Sequence, residues 1–178
     1  MNKYVFKNLT ETLKTLEPVR HLCCLYSTEK EHRLVLSPFI AEGIKNGQKV
    51  LYIIDSHRAE VIRSYLKDYD LDTDSLAERG QLEILTSRET YVKEGSFDPD
   101  RMIELLKKKT ANALEKGYSA LRVTGEMSWA LANVSGSEKL IEYESKLNRF
   151  PPQTRCIAVC QYHMRRFSSD ILLDVLRT

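Results

Sequence analysis

Apolar runs of strand length alternate with stretches of helical period along most of the chain. Lys7 to Leu16 predicts a helix with Leu9, Leu13 and Leu16 on one face, stopped by Pro18, because a residue before proline is pushed out of helical geometry. His21–Tyr26 reads as the first strand, and Ser27 or Thr28 can cap the helix that follows to about Ile44. Pro38 predicts a kink or break in that helix. Lys49–Ile54 is apolar at every position after Lys49, as suits an interior parallel strand covered on both faces. A helix over Ala59 to Lys67, a turn-rich stretch from Asp68 to Gly80, a short strand Leu82–Leu85 and an aperiodic loop from Thr86 to Ser96 come next.

Asp98-Pro99 opens a long helix to about Lys116, striped by Met102, Ile103, Leu106, Ala113 and Leu114. Ser119–Thr124 is a further strand. Gly125 to Trp129 turns into helical sequence, and Ser137-Glu138 begins a helix through Leu147 that Pro151-Pro152 ends. Arg155–Tyr162 is the last strand, and a helix from Ser168 to Leu176 follows it. The alternation predicts βα units: a three-layer α/β fold with a mostly parallel central sheet flanked by helices.

The length of 178 residues is about one domain's worth, and no Gly/Ser linker divides it, so residues 1–178 are expected to form one domain: an N-terminal helix over 1–18 and an α/β core over 20–178. Hydrophobic residues at 42% and a net charge of +2 exclude a disordered chain. That mild charge gives no footprint for nucleic acid, and Lys107-Lys108-Lys109 reads as a solvated helix face. No stretch approaches the length of a membrane span, and the start lacks a signal-peptide core, so a cytoplasmic location is expected. The four cysteines are then expected to be buried thiols.

In such a sheet, ligands bind beyond the carboxyl ends of the strands. Those ends carry Tyr26, Ser27, Asp55, Ser56, Thr86, Arg88, Arg122, Thr124, Glu126, Tyr162 and His163. The first strand–helix junction, Tyr26 to His32, has no glycine and two acidic residues, Glu29 and Glu31, where a phosphate loop needs G-x-x-x-x-G-K-[ST]. Ordinary P-loop hydrolysis of ATP is therefore not expected. No G-x-S-x-G, H-E-x-x-H or CxxC unit is present. Cys156 and Cys160 share a strand face but stand roughly 13 Å apart, so no metal site is expected from them; a composite of neighbouring strands, such as Cys24 with Cys160, is the alternative. Glu126 reads either as a carboxylate with raised pKa beside Met127 and Trp129 or as a partner of Arg122. Tyr143 is expected to pack, and Glu144 to be solvated or paired.

Taken together, His21–Tyr26, Pro38–Gly43, Gly47–Tyr52, Gly80–Ile84, Tyr91–Phe97, Leu121–Ala130 with its Arg-x-x-Gly-Glu-Met-x-Trp block, Tyr143-Glu144, Leu147-Asn148 and Cys160–Tyr162 resemble the MEDS domain, the methanogen/methylotroph sensory domain of prokaryotic signalling proteins. The resemblance implies a RecA/KaiC-like fold, that of the P-loop NTPases, with the phosphate loop lost. It implies a non-catalytic sensor of simple hydrocarbon derivatives, without cofactor, serving a sensor kinase or a transcription-regulator output domain. The family's motif positions fall on His21, Tyr26, Arg122, Glu126, Trp129, Glu144, Cys160 and Tyr162, with His163 where the family usually has Asp. His21, at the start of its strand, is expected to be structural. The expected ligand-binding set is Tyr26, Ser27, Arg122, Glu126, Trp129, Cys160 and Tyr162, with a pocket bounded by its aromatic and charged members. The rival functions are a KaiC-like nucleotide-binding domain with residual ATPase activity, and a protein-interaction module that assembles into homo-oligomers.

Overall fold

The computed structural model describes residues 11–13, 16 and 20–178. Five strands, β1 (Arg20–Tyr26), β2 (Lys49–Ile54), β3 (Leu82–Thr86), β4 (Leu121–Glu126) and β5 (Cys156–His163), form an all-parallel sheet in the order β1-β5-β4-β2-β3. All but Ile54 of β2 and all of β4 are buried, because helices cover both faces of the sheet. The expectation of an α/β fold with a parallel central sheet is met. Of the N-terminal helix, only 11–13, which are helical, and Leu16 fall within the described residues.

One face packs against α1 (Glu29–Lys45), α2 (Ala59–Tyr65) and α3 (Thr73–Glu78). Leu36, Phe39, Ile40, Ile62 and Leu76 meet Cys24, Tyr26, Val50, Tyr52, Ile157 and Val159 there. The other face carries α4 (Pro99–Glu115), α5 (Leu140–Leu147) and α6 (Ser169–Arg177). Met102, Leu106, Tyr143 and Leu147 pack there on Leu51, Val123, Ala158 and Cys160. Side chains alternate between faces along each strand, so position parity assigns each residue to one of the two cores.

Of the kink or break that Pro38 predicts, the break does not occur: α1 is one helix through it. Pro38 removes one intrahelical bond, but Leu36 to Ala41 are all buried, and packing holds both halves on the sheet. The turn-rich stretch contains α3, capped by Asp72. Gly136 closes the loop before α5 at φ 87; a Cβ there would lie 2.0 Å from the Phe97 carbonyl oxygen. Lys107 and Lys108 are exposed as expected, while Lys109 pairs with Glu83.

Candidate functional site

The chain leaves β2 toward β3 and leaves β4 toward β5, on opposite sides, so the topological switch point lies between the carboxyl ends of β2 and β4. Glu126, the last residue of β4, fills it. Its Oε2 accepts from the backbone N–H groups of Asp55, Ser56 and His57 at 3.1, 2.6 and 3.1 Å, and from Ser56 Oγ at 2.8 Å. Its Oε1 lies 2.9 Å from His57 Nδ1. Three consecutive N–H groups at a strand–helix turn make an anion nest, and here the anion is the protein's own. Burial raises the Glu126 carboxyl, but His57 and the N–H donors outweigh it and hold the group below the usual carboxylate range.

The first strand–helix junction repeats the device. Thr28 caps α1, and Glu31 folds back so that its Oε2 accepts from the N–H of Ser27 at 2.8 Å and of Thr28 at 3.1 Å. The donors that would face a phosphate are taken by this carboxylate.

His57 continues outward, its Nε2 3.0 Å from the exposed Glu29 carboxylate. The Tyr65 hydroxyl donates to the same carboxylate at 2.9 Å. Beneath this layer the His32 ring stacks on His57 at 4.7 Å between centroids, with Tyr26 at 4.5 Å on its other side. His32 Nε2 donates to Gln161 Oε1 at 2.6 Å, which also accepts from Tyr52, and Gln161 Nε2 donates to Thr124. Burial, first, holds the His32 imidazole below its usual range, with His57 adding to the effect. The site is a Glu126–His57–Glu29 relay on a neutral, hydrogen-bonded floor. His57 and His32 went unread in the sequence; the signal for His57 was its place directly after Asp55-Ser56 at the end of β2.

The expected pocket residues do not bound one pocket. Tyr26, Ser27 and Glu126 sit at the strand ends. Arg122 stands roughly 13 Å back along β4, too far to pair with Glu126. Its guanidinium is fully buried against α1, donating to Gln48 Oε1 at 2.6 Å and the Phe39 carbonyl at 3.0 Å, over the Phe39 ring at 4.8 Å. Trp129 lies on the far face between Tyr91 and Phe97, 5.1 and 4.3 Å away, as core. Cys160 and Tyr162 also face that side.

There Glu144 is fully buried rather than solvated, its Oε1 accepting from the Tyr162 hydroxyl at 2.7 Å. His21 reaches the same carboxylate from β1. The register sets Cys23, not Cys24, beside Cys160, so the Cys24–Cys160 pairing is ruled out: they lie on opposite faces. Burial pushes the Cys24 and Cys156 thiols up to about 12, and all four cysteines are free.

Among the described residues, two groups of side chains bring metal-ligating atoms within 4.8 Å of one another: Glu29, His32 and His57, and His21, Glu144 and Cys160. The imidazole nitrogens of the first group are already engaged by Glu126, Glu29, Gln161 and Tyr65. Beside β1, a crevice of about 280 Å³ is lined by Leu13, Leu16, Leu22, Leu25, Val35 and Val159, with Thr12, Cys23 and Cys24.

Residues 20–178 match the family model described as MEDS, the methanogen/methylotroph, DcmR sensory domain. The transcriptional repressor DcmR of Methylorubrum extorquens is 26% identical over 163 residues, which are 89% of this chain and 57% of the repressor, so the chain spans little more than half of that relative. A KaiC-like protein from the archaeon Pyrococcus horikoshii superposes with a TM-score of 0.54 at 16% identity, over 81% of this chain and 61% of that one.

Proposed function

The chain belongs to the MEDS family of sensory domains, and on that footing we propose that it detects a small uncharged organic molecule, not a nucleotide, on behalf of a transcription-regulator or kinase output. The observation that carries this reading is the internal neutralisation of both anion cradles. Glu31 and Glu126 occupy the backbone donors that a triphosphate would need, and Glu29 adds a third carboxylate at the same end of the sheet. Displacing Glu126 would strand a buried carboxylate, and all three would repel phosphate, so ATP turnover is disfavoured on both counts. The domain is non-catalytic in this reading.

The crevice beside β1 suits such a ligand. Among the described residues its walls are apolar but for Thr12 and the thiols of Cys23 and Cys24, and its volume of about 280 Å³ is ample for a one- to three-carbon molecule. β1 runs from this crevice to Tyr26, whose ring packs on His32, so a shift of the strand reaches the relay at the sheet's end. Signalling then requires the ligand to favour one of two arrangements of this strand by differential binding. A second reading places the ligand at the strand ends among Tyr26, Ser27, Glu126 and His57, favoured by the concentration of titratable groups there.

Thermal-shift titration with one- to three-carbon haloalkanes and alcohols, and with ATP and magnesium, tests all of this. Stabilisation by an organic probe, lost in Leu16→Arg and kept in Glu29→Gln, supports the crevice. The reverse pattern moves the ligand to the strand ends. A shift with ATP and magnesium, or no shift with any organic probe, overturns the sensor reading.

A further inference from the structure

β1 and β5 are neighbours, and the register sets His21 beside Ala158 and Cys23 beside Cys160. α5 lies over that face and presents Glu144 and, at its C-cap, Asn148 one helical turn apart. Asn148 Oδ1 lies 2.9 Å from His21 Nδ1. An amide oxygen only accepts, so Nδ1 donates to Asn148 and Nε2 is the ring atom left facing Glu144. Tyr162 holds Glu144 Oε1, leaving Oε2. These two remaining atoms are 3.0 Å apart, on side chains 7% and 0% exposed, and neither makes an aligned hydrogen bond.

Nε2 and Oε2 face each other in a dry interior without an aligned hydrogen bond, and unpartnered buried polar groups are costly. A proton on Nε2 would lie in the ring plane along the lone-pair direction, and the oxygen is not placed to receive it. A cation off the N···O line satisfies both. The Cys160 sulfur stands at that third corner, with all three ligand atoms within 4.8 Å of one another. Tetrahedral coordination at zinc bond lengths spaces such atoms about 3.4–3.6 Å apart, a small rotamer adjustment away.

We propose that His21, Glu144 and Cys160 bind a divalent transition-metal ion of the zinc class. Nitrogen, oxygen and sulfur in one set select an ion of borderline softness over magnesium or calcium. Asn148 and Tyr162 orient the ligands from behind, as the partners of metal-bound histidine and carboxylate do. Cys23 neighbours Cys160 on the same face, but its sulfur is not among the three atoms within 4.8 Å, so three protein ligands are assigned. As the metal–sulfur bond forms, the thiol proton is released to solvent. Cysteine spacing along the chain pointed away from metal, because the ligands come from two strands and a helix. The metal proposal does not rest on the ligand crevice, although Cys23 beside Cys160 lines that crevice.

The test is a cobalt(II) titration of the metal-free full chain, followed by competition with zinc. The expected result is one ion per chain, with thiolate-to-cobalt charge-transfer absorption and the visible bands of tetrahedral cobalt, both bleached by zinc. Cys160→Ser and Glu144→Gln abolish the charge-transfer band or weaken binding at least tenfold, Asn148→Ala weakens binding about 10–100-fold, and Cys156→Ser leaves it unchanged. A folded protein with no charge-transfer band at saturating cobalt, or a band that survives Cys160→Ser, overturns the proposal. Should Cys160→Ser fail to fold, Asn148→Ala decides: unchanged affinity overturns the proposal, weakened affinity supports it.

Discussion

His57 Nδ1 and Glu126 Oε1 lie 2.9 Å apart, at the point where the sheet's connections diverge. The hydrogen bond to Glu126, with the charges of Glu126 and Glu29 adding and burial opposing, raises the His57 imidazole to about 9. The unfolded chain's histidine titrates near 6.5. A folded-state pKa above the unfolded one stabilises fully below the lower value and is lost as pH rises through the higher. Stability should therefore fall between about pH 6.5 and 9, by on the order of 1–2 kcal/mol after solvent screening. Urea unfolding across that range checks it: His57→Gln should flatten the fall, and an equal slope in wild type and variant would remove the basis for a charged His57.

Arg122 and Gly43 are coupled by contact. A Cβ on Gly43 would lie 2.6 Å from Arg122 Cδ and 2.9 Å from its Nε. The guanidinium cannot swing away without abandoning Gln48 and the Phe39 carbonyl. Gly43→Ala should cost about 1–3 kcal/mol by overpacking. Arg122→Ala should cost about 3–5 kcal/mol, through cavity and stranded acceptors. In the double variant the alanine methyl enters vacated space, so its cost should fall. Denaturant midpoints of the four proteins give the coupling, and strict additivity would contradict the contact.

Gly125 makes room for Tyr91. A Cβ there would sit 2.1 Å from the Tyr91 hydroxyl, and the tyrosine is stacked on Trp129 and cannot retreat. Gly125→Ala should destabilise by about 2–3 kcal/mol. Tyr91→Phe removes the colliding oxygen, leaving the ring carbon at 3.0 Å, and should return part of the loss. Calorimetric melting temperatures of the single and double variants measure that return.

Thr28 and Glu31 hold the start of α1 in a reciprocal capping box. Thr28→Ala should cost about 1 kcal/mol. Glu31→Gln frees part of the first cradle without supplying glycines or a lysine, so equilibrium dialysis with labelled ATP should still detect no binding. Tight binding by that single variant would show that internal charge alone had excluded the nucleotide.

Much of this architecture was written in one dimension. Apolar runs such as Leu51 to Ile54, stops at Gly117 and Pro151, and caps at Thr28, Asp98 and Ser168 follow from local propensity and period. With them came the parallel α/β sheet and the absence of a glycine-rich cradle. Pro38 does not break α1, because burial across its neighbours holds the helix together. What the chain's order could not express is which residues meet. Strand order placed β4 between β5 and β2, and so carried Glu126 to the N–H groups of Asp55 to His57. Parity sent Arg122 to one face of the sheet, and the 3-10 turn after Glu126 carried Trp129 to the other, although both lie in one motif block. Register set His21 and Cys160, 139 positions apart by their numbers, under one helix with Glu144. Secondary structure is decided by neighbours a few residues away. A site is decided by hydrophobic packing that brings distant strand ends together, and that information exists only once the sheet has formed.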